Sequence, residues 1–291
     1  MTVPHGRWHN TQMTQALHTL RHKLLTIVGI LLATVTAARA ETWTVAFEEL
    51  FPPYSFAIDG DITGIDVSII RTVLQEAGVT MEPRPSSWAR VVQLVETNAV
   101  DLGFQFVDAP ERRQRFHLVG PIRSGVTVVL ARRHTLQPIY TLSDLTHLRV
   151  GTVEGFRYTP EADQLVAARQ HDVHNNVTLI RQLLAGRVDA VLGDRRTLAF
   201  LARAQDRLDD VTVKLELATV PRFVGIPFER PDRVERFTAA LERVRARGDI
   251  DAILDGWADL PSQLDTFKTR PRSSLSRTIA STDSSSIGTR Q

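Results

Sequence analysis

Between residues 41 and 261, short apolar strands alternate with amphipathic helices, and no other feature limits the fold so strongly. Trp43, Val45 and Phe47 alternate with Thr44 and Ala46, the period of a half-buried strand. Gly64-Ile65-Asp66 then opens a helix that carries Val67, Ile70, Leu74 and Ala77 on one face and stops at Gly78. Trp88, Val91, Val92 and Val95 share the face of a second helix. Short strands follow at 100–104 and 126–130. Ser143 is placed to cap a short helix before a strand over 149–153. A helix around 177–184 ends at Gly186 and feeds a strand over 188–192, and 211–217 alternates as another. Pro231 and Asp232 with Glu235 predict a capping box for the last helix, and Gly248 predicts its end.

Alternating β and α units predict an α/β fold of open, mostly parallel sheets with helices on both faces. Ligands of such sheets sit at the carboxyl ends of the strands, where loops run into helices. Four distinctive segments fall there: Phe51-Pro-Pro-Tyr54, the stretch 105–112, Glu154-Gly155-Phe156-Arg157, and Gly193-Asp194. Their coincidence points to a ligand cleft.

The two ends read differently from this body. Residues 1–40 hold four basic side chains and no acid. Arg21 and Lys23 precede the apolar run 24–35, which leads to Ala38-Arg39-Ala40. That is the pattern of a secretory signal peptide cleaved after Ala40, and the apolar run is too short to span a bilayer. Met13 would start a more ordinary signal than Met1. The segment 262–291, rich in Ser, Thr and Arg, reads as a disordered tail. The net charge of +2 therefore mixes a basic leader, a basic tail and a body, 41–261, with 26 basic and 31 acidic residues. An acidic body does not suit nucleic-acid binding. With no cysteine, the chain has no thiol nucleophile, no disulfide and no lipid-bearing Cys.

The order of the motifs resembles the bacterial extracellular solute-binding proteins of family 3. The resemblance rests on Phe51-Pro-Pro-Tyr54-Ser-Phe56, Gly64-Ile65-Asp66-Val67, Trp88 ahead of Asp101, Pro110-Glu111-Arg112 with Gly120-Pro121, Asp189-Ala-Val-Leu-Gly193-Asp194, and Trp257. It implies a two-lobe periplasmic-binding-protein fold with the cleft between lobes. Lobe 1 would comprise 41–127 and 220–261, lobe 2 would comprise 131–216, and hinge strands would pass near Leu130 and Val220. It also implies a periplasmic, monomeric receptor that captures an amino acid or related organic acid and passes it to an ABC permease, with no cofactor and no metal.

Carried over residue by residue, Arg112 would grip the ligand carboxylate, with Arg113 as an alternative because the interval from Asp101 is one residue short. A planar guanidinium suits that role, since it offers two parallel donors to a carboxylate. Asp194 would pair with the ligand ammonium; as a short acceptor before a helix it also suits an N-cap. Phe51, Tyr54 and Trp88 would wall the ligand side chain, with Trp88 equally suited to a core. Val107 and Ala109 stand where relatives carry hydroxyls, so Gln105 is the nearest replacement donor. Phe156 and Arg157 are bulkier than the family pattern, and Arg157 could meet a second acidic group. Asp66 reads as structural.

An enzyme on the same fold, of the cyclohexadienyl-dehydratase kind, is the main alternative, with Glu48, Glu49 and Glu154 as cleft acids. A periplasmic sensing subunit is another. No spacing in the chain specifies a reaction. His171 and His174 have helical spacing but lack a partner for a metal, and no P-loop, dinucleotide or serine-hydrolase motif occurs.

Overall fold

The structure is a computed structural model that describes residues 41–167 and 171–257. The predicted leader 1–40, its cleavage after Ala40 and the tail 262–291 lie outside the described residues.

Strand β1 (Glu41–Glu48) forms where the alternation predicted it, with Val45 and Phe47 buried on one face and Ala46 on the other. A hairpin, β2 (Phe56–Ile58) and β3 (Asp61–Thr63), precedes helix α1 (Ile65–Glu76). Gly64 opens α1 at φ +131°, and any Cβ there would collide with the Tyr54 carbonyl. Then come β4 (Val79–Ser86), helix α2 (Trp88–Glu96), β5 (Leu102–Phe106) and a single turn, α3 (Pro110–Arg113).

Strand β6 (Phe116–Arg132) has 17 residues, where the sequence reading saw only its apolar end. A 3-10 turn (Leu142–His147) follows, capped by Thr141 and Asp144 rather than by Ser143. Next are β7 (Val150–Val153), helix α4 (Pro160–Ala167) and β8 (His171–Val173), so His171 lies in a strand and the helical spacing with His174 is not realised. Helix α5 (Asn176–Leu184), strand β9 (Ala190–Asp194) and helix α6 (Arg195–Ala204) lead to β10 (Val211–Pro227), again 17 residues long. Helices α7 (Pro231–Ala246) and α8 (Asp249–Gly256) close the described chain. The predicted capping box at the start of α7 does not form: Arg230 is the N-cap and makes no side-chain cap bond.

Apart from the β2–β3 hairpin, the strands make one continuous mixed sheet in the order β4-β1-β5-β10-β6-β9-β7-β8. Parallel pairs lie toward its two ends, where β4 and β5 flank β1, and β8 and β9 flank β7. Antiparallel β6 and β10 join them through the middle, and each runs the length of both halves. Leu130 and Val220, the expected hinge positions, lie on these two strands.

Both faces of each half are covered. In the β4-β1-β5 half, α1 and α7 bury one face around Phe47, Ile70 and Phe237, while α2 buries the other around Ala46, Val91 and Phe106. In the β9-β7-β8 half, Val128 and Leu130 pack under α5 and α6, while Val129 and Ala131 face Leu145 and Ala162. Alternate residues of one strand thus enter two different cores, which is why β6 reads as a continuous apolar run there. Among the described residues no helix is long and apolar enough to cross a membrane.

Candidate functional site

The carboxyl ends of β1, β5 and β7 converge on a cavity lined by Glu48, Phe51, Trp88, Gln105, Val107, Arg112, Phe156, Arg157 and Arg222. Its volume is about 20 Å3, room for little more than one water. The space is small because the loop after β7 fills it. Gly155 turns that loop at φ +74°, and its carbonyl accepts hydrogen bonds from Trp88 Nε1 (2.9 Å) and Arg112 Nη2 (3.2 Å). Phe156 then lies edge-on to Phe51 (6.0 Å between centroids) and Trp88 (5.8 Å). It packs against all four apolar clusters of the described residues.

Arg112 enters from α3, whose short turn is set by Pro110 after extended Ala109. Its Nη1 donates to the Val107 carbonyl at 3.1 Å, and its guanidinium lies 5.3 Å from the Trp88 ring and 5.5 Å from Phe106. Burial, with Arg157 close by, lowers its pKa to about 10. Arg113, the alternative, points away: it is exposed and its Nε donates to Asp108 at 2.6 Å. Of the two, only Arg112 reaches the cavity. Arg157 does line it, but its Nε is already held by Glu111 at 2.7 Å, and that partner holds the Glu111 carboxyl below its usual range.

Gln105 owes its position to a β-bulge. Phe223 opposes Phe106 and Val224 opposes Phe104, so Gln105 is an extra residue, held at φ +82°. Its Oε1 accepts from the Glu48 backbone N–H (3.1 Å) and its Nε2 donates to Ser55 Oγ (2.7 Å). Glu48 is buried beside it, and burial pushes its carboxyl well above the ordinary range.

Tyr54 and Asp194 do not line the cavity. They bond to each other instead, with Tyr54 Oη donating to Asp194 Oδ1 at 3.0 Å. The same oxygen accepts from the backbone N–H groups of Arg196 and Thr197, so Asp194 does cap α6. Its other oxygen, Oδ2, is buried with no partner among the described residues. The Tyr54 ring stacks under Arg123, 3.4 Å from its guanidinium carbon. Arg123 in turn forms a two-pronged, fully buried ion pair with Asp66, which gives Asp66 its structural role.

The sequence reading missed Arg222. It lies on β10 directly opposite Arg123, 6% exposed, and its Nε and Nη1 have no hydrogen-bond partner among the described residues. Only its place in the alternation, inward-facing between buried Val220 and Val224, could have flagged it. No cluster of metal-ligating side chains occurs among the described residues.

An α/β sheet crossed by two long strands, with a charged and aromatic cavity at its strand ends, defines a ligand-binding protein of the periplasmic-receptor type. Residues 43–259 match the sequence profile of the Bacterial extracellular solute-binding proteins, family 3, and the chain belongs to that family. The arginine-binding protein ArgT of Corynebacterium glutamicum is 24% identical over 71% of this chain and 71% of its own length. An arginine-binding periplasmic protein of Mannheimia haemolytica is 22% identical over 80% of this chain and 97% of its own. Among solved structures, an ancestral arginine-binding protein bound to arginine superposes with a TM-score of 0.69 at 20% identity, covering 75% of this chain and 98% of that one. An ancestral amino acid-binding precursor of cyclohexadienyl dehydratase superposes at 0.64 and 21% identity, covering 74% and 95%.

Proposed function

We infer that the chain is exported by its leader, cleaved after Ala40, and works in the periplasm as a receptor for an amino acid or related carboxylate. The two sheet halves are read as lobes, 41–127 with 220–261 and 131–216, that open and close about β6 and β10. The bound, closed form is delivered to an ABC permease. One observation carries the reading: a guanidinium, Arg112, is buried at the strand ends against aromatic rings and the backbone of the opposite loop. A ligand carboxylate would use the remaining donors of Arg112, and the Glu154–Arg157 loop would withdraw to admit it, since about 20 Å3 cannot hold an amino acid.

Calorimetric titration and thermal-shift assays with the common amino acids and small organic acids test this. Binding that is lost in R112A supports the reading, while no heat and no shift with any of them removes it. A second reading has one observation in its favour. Glu48, a buried carboxyl that burial favours in its protonated form, faces the cavity and has the form of a general acid. We read the chain as a binder rather than an enzyme, and consumption of a prephenate-like substrate would reverse that assignment.

A further inference from the structure

Arg222 is an unpaired cation in a place where a permanent one is costly. Moving a charge out of water is unfavourable unless a partner and hydrogen bonds replace the water. Arg123, its neighbour across the β6–β10 ladder, has both. Arg222 has neither: its Nε and Nη1 are buried and unbonded among the described residues, and like charges directly opposite in a ladder repel. The charges of the nearest carboxylates, Asp194 and Asp66, favour its ionised form, but neither reaches it with a hydrogen bond. Asp66 is committed to Arg123. Asp194 gives Oδ1 to Tyr54 and the α6 backbone, and its Oδ2 is itself unbonded, so no Asp194–Arg222 hydrogen bond exists.

The cavity lining repeats the imbalance. Of its three guanidiniums Arg157 is paired with Glu111, outside the lining, which leaves Arg112 and Arg222 facing a single lining acid, Glu48, which burial drives toward its neutral form. Arg112 and Arg222 also raise the cost of each other's charge across this space. The lining is cationic, and only Arg157 has a counter-ion.

We propose that Arg222 is a second carboxylate-binding residue and that the solute is an acidic amino acid. One carboxylate sits on Arg112, the other on Arg222, and, once the Glu154–Arg157 loop withdraws, the ammonium meets the free Oδ2 of Asp194, which lies outside the present cavity lining. Arg222 Nε and Nη1 and Asp194 Oδ2, which are buried without partners among the described residues, then find the kind of group they lack. A cationic side chain, as in arginine, would instead bring a further positive charge to a lining that already holds three guanidiniums. This inference rests on the reading of the chain as an amino-acid receptor.

The test is titration of the purified protein with L-glutamate, L-aspartate, L-glutamine, succinate and L-arginine, repeated on R222M and R222K. L-glutamate or L-aspartate is expected to bind at least about 30-fold more tightly than L-glutamine or L-arginine. R222M is expected to lose that preference, and R222K to keep part of it. Succinate, which lacks the ammonium, is expected to bind more weakly than L-aspartate. Should R222M fail to fold, R222K and the wild-type ligand ranking still decide. L-arginine or L-glutamine binding as tightly as L-glutamate overturns the role of Arg222 but leaves the receptor reading intact. So does unchanged L-glutamate affinity in R222M. No response to any of the five ligands overturns the inference, and the receptor reading falls with it only when the wider panel of amino acids and organic acids is silent too.

Discussion

Arg123 and Arg222 face each other across the two long strands, equally buried at 6% exposure, and differ in one respect. Arg123 is enclosed: Asp66 takes its fork from one side and the Tyr54 ring covers its face. This tie fastens α1, through Asp66, to the middle of the sheet, and the neighbouring anions hold the Arg123 guanidinium firmly protonated. Arg222 lies toward the cavity without such a partner, and burial lowers its pKa. The same side chain at the same depth is thus a structural rivet in one strand and an unanswered charge in the next. What separates them is the element packed above each: α1 supplies a carboxylate at Asp66, whereas the cavity supplies open space.

That contrast can be broken at either arginine. The largest effect is expected from D66A, which strands Arg123 in the core: urea unfolding should register a loss of about 3–5 kcal/mol. The double change D66L/R123M, which removes both charges, should recover most of that loss. R222M should behave in the opposite way. Taking out an unpaired buried charge is expected to raise the melting temperature of the ligand-free protein by a few degrees. A marked fall in its melting temperature would mean that Arg222 is a structural rivet too.

Glu48 sharpens the picture through pH. Its carboxyl, lifted by burial above the ordinary 4.5, binds its proton more tightly in the folded state than in the unfolded one. The stability it contributes is therefore full below about pH 4.5 and is lost as pH rises through the folded value, with a slope of up to about 1.4 kcal/mol per pH unit. E48Q is neutral at every pH, so chemical denaturation measured across that window should lose this component of the slope and find the variant more stable than wild type on the alkaline side. The smallest effect belongs to R113A. Arg113 and Asp108 form an exposed pair, and exposed pairs contribute little, so neither the melting temperature nor the ligand affinity should change measurably.

Much of the scaffold is legible in the sequence. The period of β1, the Gly64 start of α1, the Trp88 face of α2 and the capping role of Asp194 are local signals, decided within a turn or two of chain, and the structure has each of them. The signals that misled were also local. Ser143 and Glu235 had suitable spacing for caps, but Thr141 and Asp144 made the first cap, and α7 begins with no side-chain cap bond at all. The long strands were read at less than half their length because the rest of each mixes Pro, Gly and Arg with apolar residues. Those residues are tolerated there because β6 and β10 support one another through register shifts.

For the candidate site, the sequence alone determined which loops gather at the strand ends. It brought out six of the nine residues that line the cavity as ligand contacts: Phe51, Trp88, Gln105, Arg112, Phe156 and Arg157. It also named Glu48 and Val107, though in other roles. Only the tertiary structure decided which charges are answered. Whether a guanidinium has a partner depends on groups far away in the chain, as with Asp66 and Arg123, separated by 57 in sequence, and no local period encodes that distance. Arg112 over Arg113, the pairing of Arg157 with Glu111, and the solitude of Arg222 were all settled by packing. Hydrophobic alternation is a property of neighbours along the chain, and charge compensation is a property of neighbours in space.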